Sequence, residues 1–298
     1  MFKSGFVTII GKPNVGKSTF LNKVLGQKIT IISDKPQTTR NTIRGIYTDD
    51  DAQIVFLDTP GIHHSKHKLG NSMTESALRT LNSVDLILYM ISGLEKINDV
   101  DRAIITRCEK LSTPVFLVVN KIDLIKDINR LEQNIQSYKE AMNFTGVFAI
   151  SALEGIHTAP LLEDIKNQLE EGPKYYPNDE VTDHPERFLI SERIREKVLE
   201  LTQQEVPHSV MVTIDDMHQD EQYVHVLNIH ATIIVERDSQ KGIIIGKHGH
   251  LIKQIGTRAR KDILDLLGTK IFLDLHVKVI KDWRNKEHYL RNFGYQET

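Results

Sequence analysis

The 298-residue sequence predicts an α/β domain built on a mostly parallel sheet, followed by a separate α+β domain. Up to about residue 171, short β-branched runs alternate with longer amphipathic ones, the pattern of parallel strands joined by crossover helices. A stretch of turn formers then begins at Gly172-Pro173 and runs to Pro185. Beyond it the order changes to helix, strand, strand, two helices and strand, with no internal repeat of the first half. The expected boundaries are therefore 1–172 for the first domain, 173–185 for a linker and 186–298 for the second domain.

In the first domain the strands are expected at 6–10, 42–47, 54–57, 86–91, 115–119 and 147–150, each an apolar run of strand length. Ligands of such a sheet bind at the carboxyl ends of its strands. In the second domain a helix is expected near 188–204, strands near 209–215, 223–235 and 271–279, and two helices between the last two strands.

A chain that is 40% apolar and 26% charged fits soluble globular domains with two cores. The net charge of -2 gives no global sign of a polyanionic partner, so a nucleic-acid site must be a local patch. The single cysteine, Cys108, excludes an internal disulfide framework and a Cys-based zinc site, and a reducing, cytoplasmic setting is expected. The N-terminus lacks the pattern of a cleavable signal, and no apolar run approaches the ~18 residues that span a bilayer. Any membrane contact is expected to be peripheral.

Gly11-Lys12-Pro13-Asn14-Val15-Gly16-Lys17-Ser18 lies between the strand-like run 5–10 and a helical run that starts at Thr19. This is a phosphate cradle. Its glycines let successive N–H groups point inward, and the following helix N-terminus adds its positive dipole end. Lys17 is placed to reach the β- and γ-phosphates, and Ser18 to hold Mg2+ through its hydroxyl. Asp58-Thr59-Pro60-Gly61 follows the strand 54–57, which puts Asp58 beside the cradle as a second magnesium residue and lets Gly61 offer its N–H to a γ-phosphate.

Asn120-Lys121-Ile122-Asp123 follows the strand 115–119. Ionised Asp123 can accept hydrogen bonds from guanine N1–H and the 2-amino group, each charge-assisted bond worth about 1.5–3 kcal/mol. Ser151-Ala152-Leu153, after the last strand, suits a backbone contact to guanine O6. GTP and GDP are thus the expected ligands. A metabolic P-loop enzyme that phosphorylates a small molecule is the competing reading, and Asp123 argues against it.

Together these four elements resemble the translation-factor-like class of P-loop GTPases. The resemblance implies an effector loop at Gln37-Thr38-Thr39-Arg40-Asn41, where a threonine binds magnesium only while the γ-phosphate is present. Either hydroxyl can serve on the residues alone; the Thr-Arg pair of the relatives favours Thr39. Lys17, Thr39, Asp58, Gly61 and Asn14 are the expected catalytic set. The position after Gly61, a water-orienting glutamine in many small GTPases, is Ile62, so turnover should be slow. An apolar residue there is a trait of the subgroup that holds Era, Der and MnmE, in which the counterpart of Asn14 is associated with K+. A loop-stabilising side chain is the other reading of Asn14. His63, His64 and His67 lie in the segment after Gly61 and are read as a solvated loop rather than a metal site.

In the second domain, Gly246-Lys247-His248-Gly249 separates two short apolar helical runs, 242–245 and 251–255. A GxxG loop between helices clamps the nucleic-acid backbone in KH domains, and the element order is that of an α+β type II KH domain. Between Arg237 and Asp262 seven basic residues face two acids, so Lys247, Lys253 and Arg258 join Gly246, His248 and Gly249 as candidate RNA residues. Ile244, Ile245 and Ile252 can line a groove or belong to the core.

A GTPase domain followed by a GxxG KH domain resembles the Era family over nearly the whole chain. That resemblance implies slow GTP hydrolysis, binding of the 3′ end of small-subunit (16S) ribosomal RNA, a role in 30S subunit assembly and, in some members, peripheral association with the inner face of the membrane. A monomer is expected. A membrane-associated cell-cycle signalling GTPase is the alternative function.

Overall fold

Runs such as Ile54-Val55-Phe56-Leu57 and Val115 to Val119 are buried at every residue, which is why they read as continuous apolar stretches instead of alternating ones. In the computed structural model, which describes residues 1–63, 65, 67–220, 223 and 225–295, they lie inside a six-stranded sheet. The strands are β1 (Lys3–Ile10), β2 (Ile43–Thr48), β3 (Ala52–Asp58), β4 (Leu86–Ser92), β5 (Val115–Asn120) and β6 (Gly146–Ala149), in the order β2-β3-β1-β4-β5-β6. All neighbours pair in parallel except β2, which runs antiparallel to β3 with Ile46 opposite Val55.

Helices α1 (Lys17–Leu25), α2 (Lys68–Arg79), α3 (Asp99–Cys108), α4 (Ile128–Ala141) and α5 (Thr158–Gln168) belong to the same half of the chain. Phe20 and Leu21 of α1 and Leu161 and Ile165 of α5 bury one core with Val7, Ile54 and Leu88. Ala77, Ile104, Ile105 and Tyr138 bury a second with Ile87, Leu117 and Val119. Two cores on a twisted sheet leave the ends of β1, β3 and β5 free to start loops, and those loops carry the candidate site. Helix α2 begins at Lys68, inside the segment read from the sequence as an open loop; His64 lies outside the described residues.

The chain divides into two compact units: one of Met1–Ile32, Thr39–Lys66 and Gly70–Asp183, the other of Ser33–Thr38, His67–Leu69 and His184–Thr298. Residues 173–183 therefore do not hang free as a linker. Buried Gln53 accepts from the N–H of Tyr175 (2.6 Å) and Tyr176 (3.0 Å), and its own amide donates to the Tyr176 carbonyl (2.9 Å). Ile46 N–H donates to the Val181 carbonyl at 2.9 Å, and Arg44 pairs with Asp183 at 2.6 Å. The strap thus occupies backbone groups on β2, an edge strand that would otherwise offer them to another chain.

The second unit contains α6 (Glu186–Leu201), α7 (Val206–Ser209), β7 (Met211–Gln219), β8 (Val226–Val235), α8 (Asp238–Ile245), α9 (His250–Leu267), β9 (Lys270–Val279) and α10 (Glu287–Asn292). Its sheet runs β7-β8-β9, with β8 antiparallel to β7 and parallel to β9. Ile255, Ala259 and Ile263 recur every four residues along α9 and pack with Ile190, Ile194 and Val198 of α6 over Ile229, Ala231 and Ile233 of β8. Gly268, at φ 65°, ends α9 in the left-handed turn that glycine adopts without strain.

Candidate nucleotide and nucleic-acid sites

The phosphate loop is fixed by two glycines at which a side chain has no room. A Cβ on Gly11 (φ 149°) would lie 2.1 Å from the Met90 carbonyl oxygen, and one on Gly16 (φ 104°) 2.1 Å from the Asn120 amide nitrogen. Val15 is buried, Pro13 half-buried and Asn14 exposed in the left-handed region at φ 62°, while Thr19 sits in the first turn of α1. Lys17 is buried and curls over the loop, donating to the carbonyls of Lys12 (3.0 Å) and Gly11 (3.3 Å). Burial pulls its ammonium down to about 8, with the Asp58 charge opposing.

Three oxygen groups converge beside it. Ser18 Oγ donates to Asp58 Oδ2 at 2.6 Å and lies 2.8 Å from Thr39 Oγ1. Thr38 instead donates its hydroxyl to the Lys35 carbonyl at 2.6 Å, so the geometry separates the two threonines that the sequence left open. Asp58 is fully buried, and its Oδ1 has no hydrogen-bond partner. Burial pushes its carboxyl up to about 6, against the pull of Lys17 and Ser18. An orphaned buried carboxylate oxygen next to two hydroxyls is a donor set for a hard cation, and Mg2+ fits it.

Gly61 closes on the loop: a Cβ there would lie 2.6 Å from both the nitrogen and Cα of Pro13. Ile62 N–H donates to the Gly11 carbonyl at 3.0 Å while its side chain is buried in the core, so it is both apolar and turned inward. His63 Nδ1 lies 2.9 Å from the Gly61 carbonyl.

Two expected contacts take a different form. The Lys12 ammonium is engaged by Asp101 (2.9 Å) and Glu95 (2.8 Å), so only its backbone is left for a phosphate. Asn120 is buried, donates to the Val15 carbonyl (2.8 Å) and accepts from Ala152 N–H (2.9 Å), joining the phosphate loop to the loop that follows β6. The Ala152 N–H thus serves Asn120 rather than an open position. Lys121 takes the left-handed conformation at φ 68° and Asp123 follows it, exposed, in a 3-10 turn. Ser151 is buried and accepts from Glu154 N–H at 3.2 Å, and Leu153 is exposed.

In the second unit Gly246 (φ 71°), His248 (φ 52°) and Gly249 (φ 75°) all have positive φ, and a Cβ on Gly246 would come within 2.9 Å of Leu251 Cβ. Lys247 and His248 are exposed at the tip. A cleft of about 350 Å3 runs between α9 and β9, lined by Ile252, Lys253, Gly256, Thr257, Arg260, Leu273 and Leu275. Lys253 is on it; Arg258 is not. The Arg258 guanidinium lies 3.8 Å from Glu200 of α6, and Arg260 is the arginine of the cleft. Stepping three, four and seven residues along the helix from Lys253 gives Gly256, Thr257 and Arg260, the signal that charge counting overlooked. Of the three isoleucines, Ile252 lines the cleft, Ile245 is half-buried and Ile244 is core.

Residues 6–121 match the family model described as 50S ribosome-binding GTPase, and residues 205–284 match the KH domain model. Two solved structures are similar along the whole length. A single-residue variant of Era from Aquifex aeolicus bound to GDP.AlF4- is 42% identical, with TM-score 0.96, over 99% of this chain and 100% of that one. Era in complex with MgGDPNP and nucleotides 1506-1542 of 16S ribosomal RNA is also 42% identical, with TM-score 0.96, over 100% of both chains. At that identity and coverage, with a phosphate-loop GTPase unit followed by a type II KH unit, the chain belongs to the Era family of GTPases.

Proposed function

We propose that this chain binds and slowly hydrolyses GTP and uses its KH cleft to hold the 3′ end of small-subunit ribosomal RNA during 30S assembly, as a cytoplasmic monomer. The observation that carries the nucleotide half is the convergence of Ser18, Thr39 and Asp58, with the unsatisfied Asp58 oxygen among them. The relatives crystallised with GDP.AlF4- and with MgGDPNP and 16S RNA support both halves.

Ser18, Thr39 and Asp58 would hold Mg2+, which when bound would supply positive charge to the β- and γ-phosphates. Asn14 to Thr19 wrap the phosphates with backbone N–H groups, Gly11, Lys12 and Pro13 shape the turn before them, and Lys17 leaves its carbonyl partners to pair with the phosphates. Gly61 offers its N–H to the γ-phosphate. Asp123 reads the guanine edge, with Lys121 and Leu153 beside the base and Asn120 and Ser151 fixing the two base loops. Ile62 cannot orient the attacking water, so hydrolysis rests on positioning and charge. Asn14 is proposed as the ligand of a K+ ion that supplies the charge of an arginine finger; equal turnover in sodium and potassium buffers would refute it. Gly246, Lys247, His248 and Gly249 clamp the RNA backbone, Lys253 and Arg260 add charge along the cleft, and splayed bases rest on its apolar wall. Among the described residues no helix is long and apolar enough to cross a membrane; contact with the inner face of the membrane is proposed as peripheral only.

The test is binding of a labelled oligoribonucleotide from the 3′ end of small-subunit ribosomal RNA against a scrambled one, with GDP and with a non-hydrolysable GTP analogue. Preferential binding that depends on the nucleotide is the expected result. Equal binding of both sequences contradicts the RNA assignment, and equal affinity in both nucleotide states contradicts the switch.

A further inference from the structure

Lys12 is the one member of the phosphate loop whose charge is spent elsewhere in the protein. Its ammonium is 2.9 Å from Asp101 Oδ2 and 2.8 Å from Glu95 Oε2; Asp101 is fully buried, whereas the Glu95 side chain is half-exposed. The Asp101 carboxylate cannot turn freely. Oδ1 accepts from the Tyr89 hydroxyl on β4 at 2.7 Å, and Oδ2 also accepts from Asn98 N–H at 3.0 Å, the return bond of the capping box that starts α3. Strand β4 and the start of α3 thus fix Asp101, and Asp101 fixes the Lys12 ammonium. The Lys12 carbonyl in turn accepts from Lys17 Nζ at 3.0 Å.

We propose that Asp101 is a positioning residue for the nucleotide site, acting through Lys12 to hold the phosphate loop in its binding shape. The inference rests on the guanine-nucleotide reading above. A buried ion pair costs desolvation of both charges and adds little net stability, so its contribution here is to conformation. The loop lacks regular structure between β1 and α1, so its peptide planes must be held by contacts like this one. Without the pair, the Lys12 peptide is free to turn, and the N–H groups and Lys17 are no longer aimed together before a nucleotide arrives.

The experiment is a double-mutant cycle on the full chain, with fluorescent GDP affinity and thermal unfolding measured side by side. Lys12→Met and Asp101→Asn are each expected to weaken GDP by about tenfold, the double variant by no more than either single, and Lys12→Arg to retain near wild-type affinity. The melting temperature of the double variant should recover above that of Lys12→Met, because no unpaired charge stays buried. Affinity that recovers along with melting in the double variant would mean the pair acts on stability alone and overturns the proposal. Unchanged affinity in Lys12→Met overturns it too. A wild-type protein that binds no GDP would overturn the nucleotide reading and this inference together, whereas wild-type binding with unaffected variants overturns this inference only.

Discussion

Replacing Gly61 by alanine tests the link between the second nucleotide loop and the phosphate loop at a single atom. The added Cβ would sit 2.6 Å from the backbone nitrogen and Cα of Pro13, where no rotamer change gives relief. Ordinary contact begins near 3.4 Å, so the two loops must part by ~0.8 Å (3.4 minus 2.6). The phosphate loop is anchored through Lys12 and Asn120, so the Gly61 side gives way. An N–H···O bond of ~2.9 Å then stretches to ~3.7 Å, beyond hydrogen-bonding range. Losing one bond to a charged phosphate oxygen costs about 1.5–3 kcal/mol, or roughly 10- to 150-fold in affinity. Only a nucleotide with a γ-phosphate should feel it. Isothermal titration of Gly61→Ala with GDP and with a non-hydrolysable GTP analogue is the assay: the analogue should weaken by that factor, and GDP by less than about threefold. Equal weakening of both would mean that the clash displaced the phosphate loop instead, and unchanged analogue affinity would show that Gly61 does not contact the γ-phosphate.

Asp123→Asn should shift preference from guanine to xanthine nucleotides, because the amide offers a donor where guanine also offers one; competition of XTP against GTP reads this directly. Replacing Gly246 and Gly249 together by aspartate puts side chains at φ 71° and 75° and negative charge in the clamp, so RNA binding by filter assay should be lost while GTP turnover stays near wild type. Burial pushes the Cys108 thiol from its ordinary 9.0 up to about 11. The unfolded chain therefore loses this proton first, and folding stability should fall as pH rises from about 9 towards 11; in urea titrations Cys108→Ala should fall less steeply between pH 9 and 10, since the buried Tyr89 and Tyr138 hydroxyls, also pushed up, contribute only above their ordinary 10.0. At pH 8 a thiol reagent should label Cys108 only after unfolding.

Strand positions, the glycine loop between β1 and α1, the turn after β5 and the GxxG turn were legible as local structure because a run of apolar residues or a fixed spacing is enough to place each. The observed strands differ from the expected ones by a few residues at their ends, as at β1, where Lys3 and Ser4 extend the run through pairing with β3. What could not be read is where long side chains go when two destinations are open. Lys12 has a phosphate site on one hand and two carboxylates about 85 residues later on the other, and only the fold brings Asp101 within reach. Thr38 and Thr39 are chemically alike and differ only in which way adjacent residues of a loop point. Arg258 and Arg260 are two positions apart on a helix, hence on different sides, and charge counting is blind to that. The segment after Gly172 has the composition of a tether, yet Gln53, an amide inside a buried strand, gives its backbone partners.

Asn120 has a consequence for how ligand pieces add up. One side chain holds the carbonyl of Val15 and the N–H of Ala152, so the half of the site that reads the base and the half that grips the phosphates share a hinge pin. The pin is closed before either piece binds, so the two halves stand at a fixed spacing. A whole nucleotide gives up its translational and rotational freedom once where two separate fragments do so twice, and its affinity is expected to exceed the product of theirs.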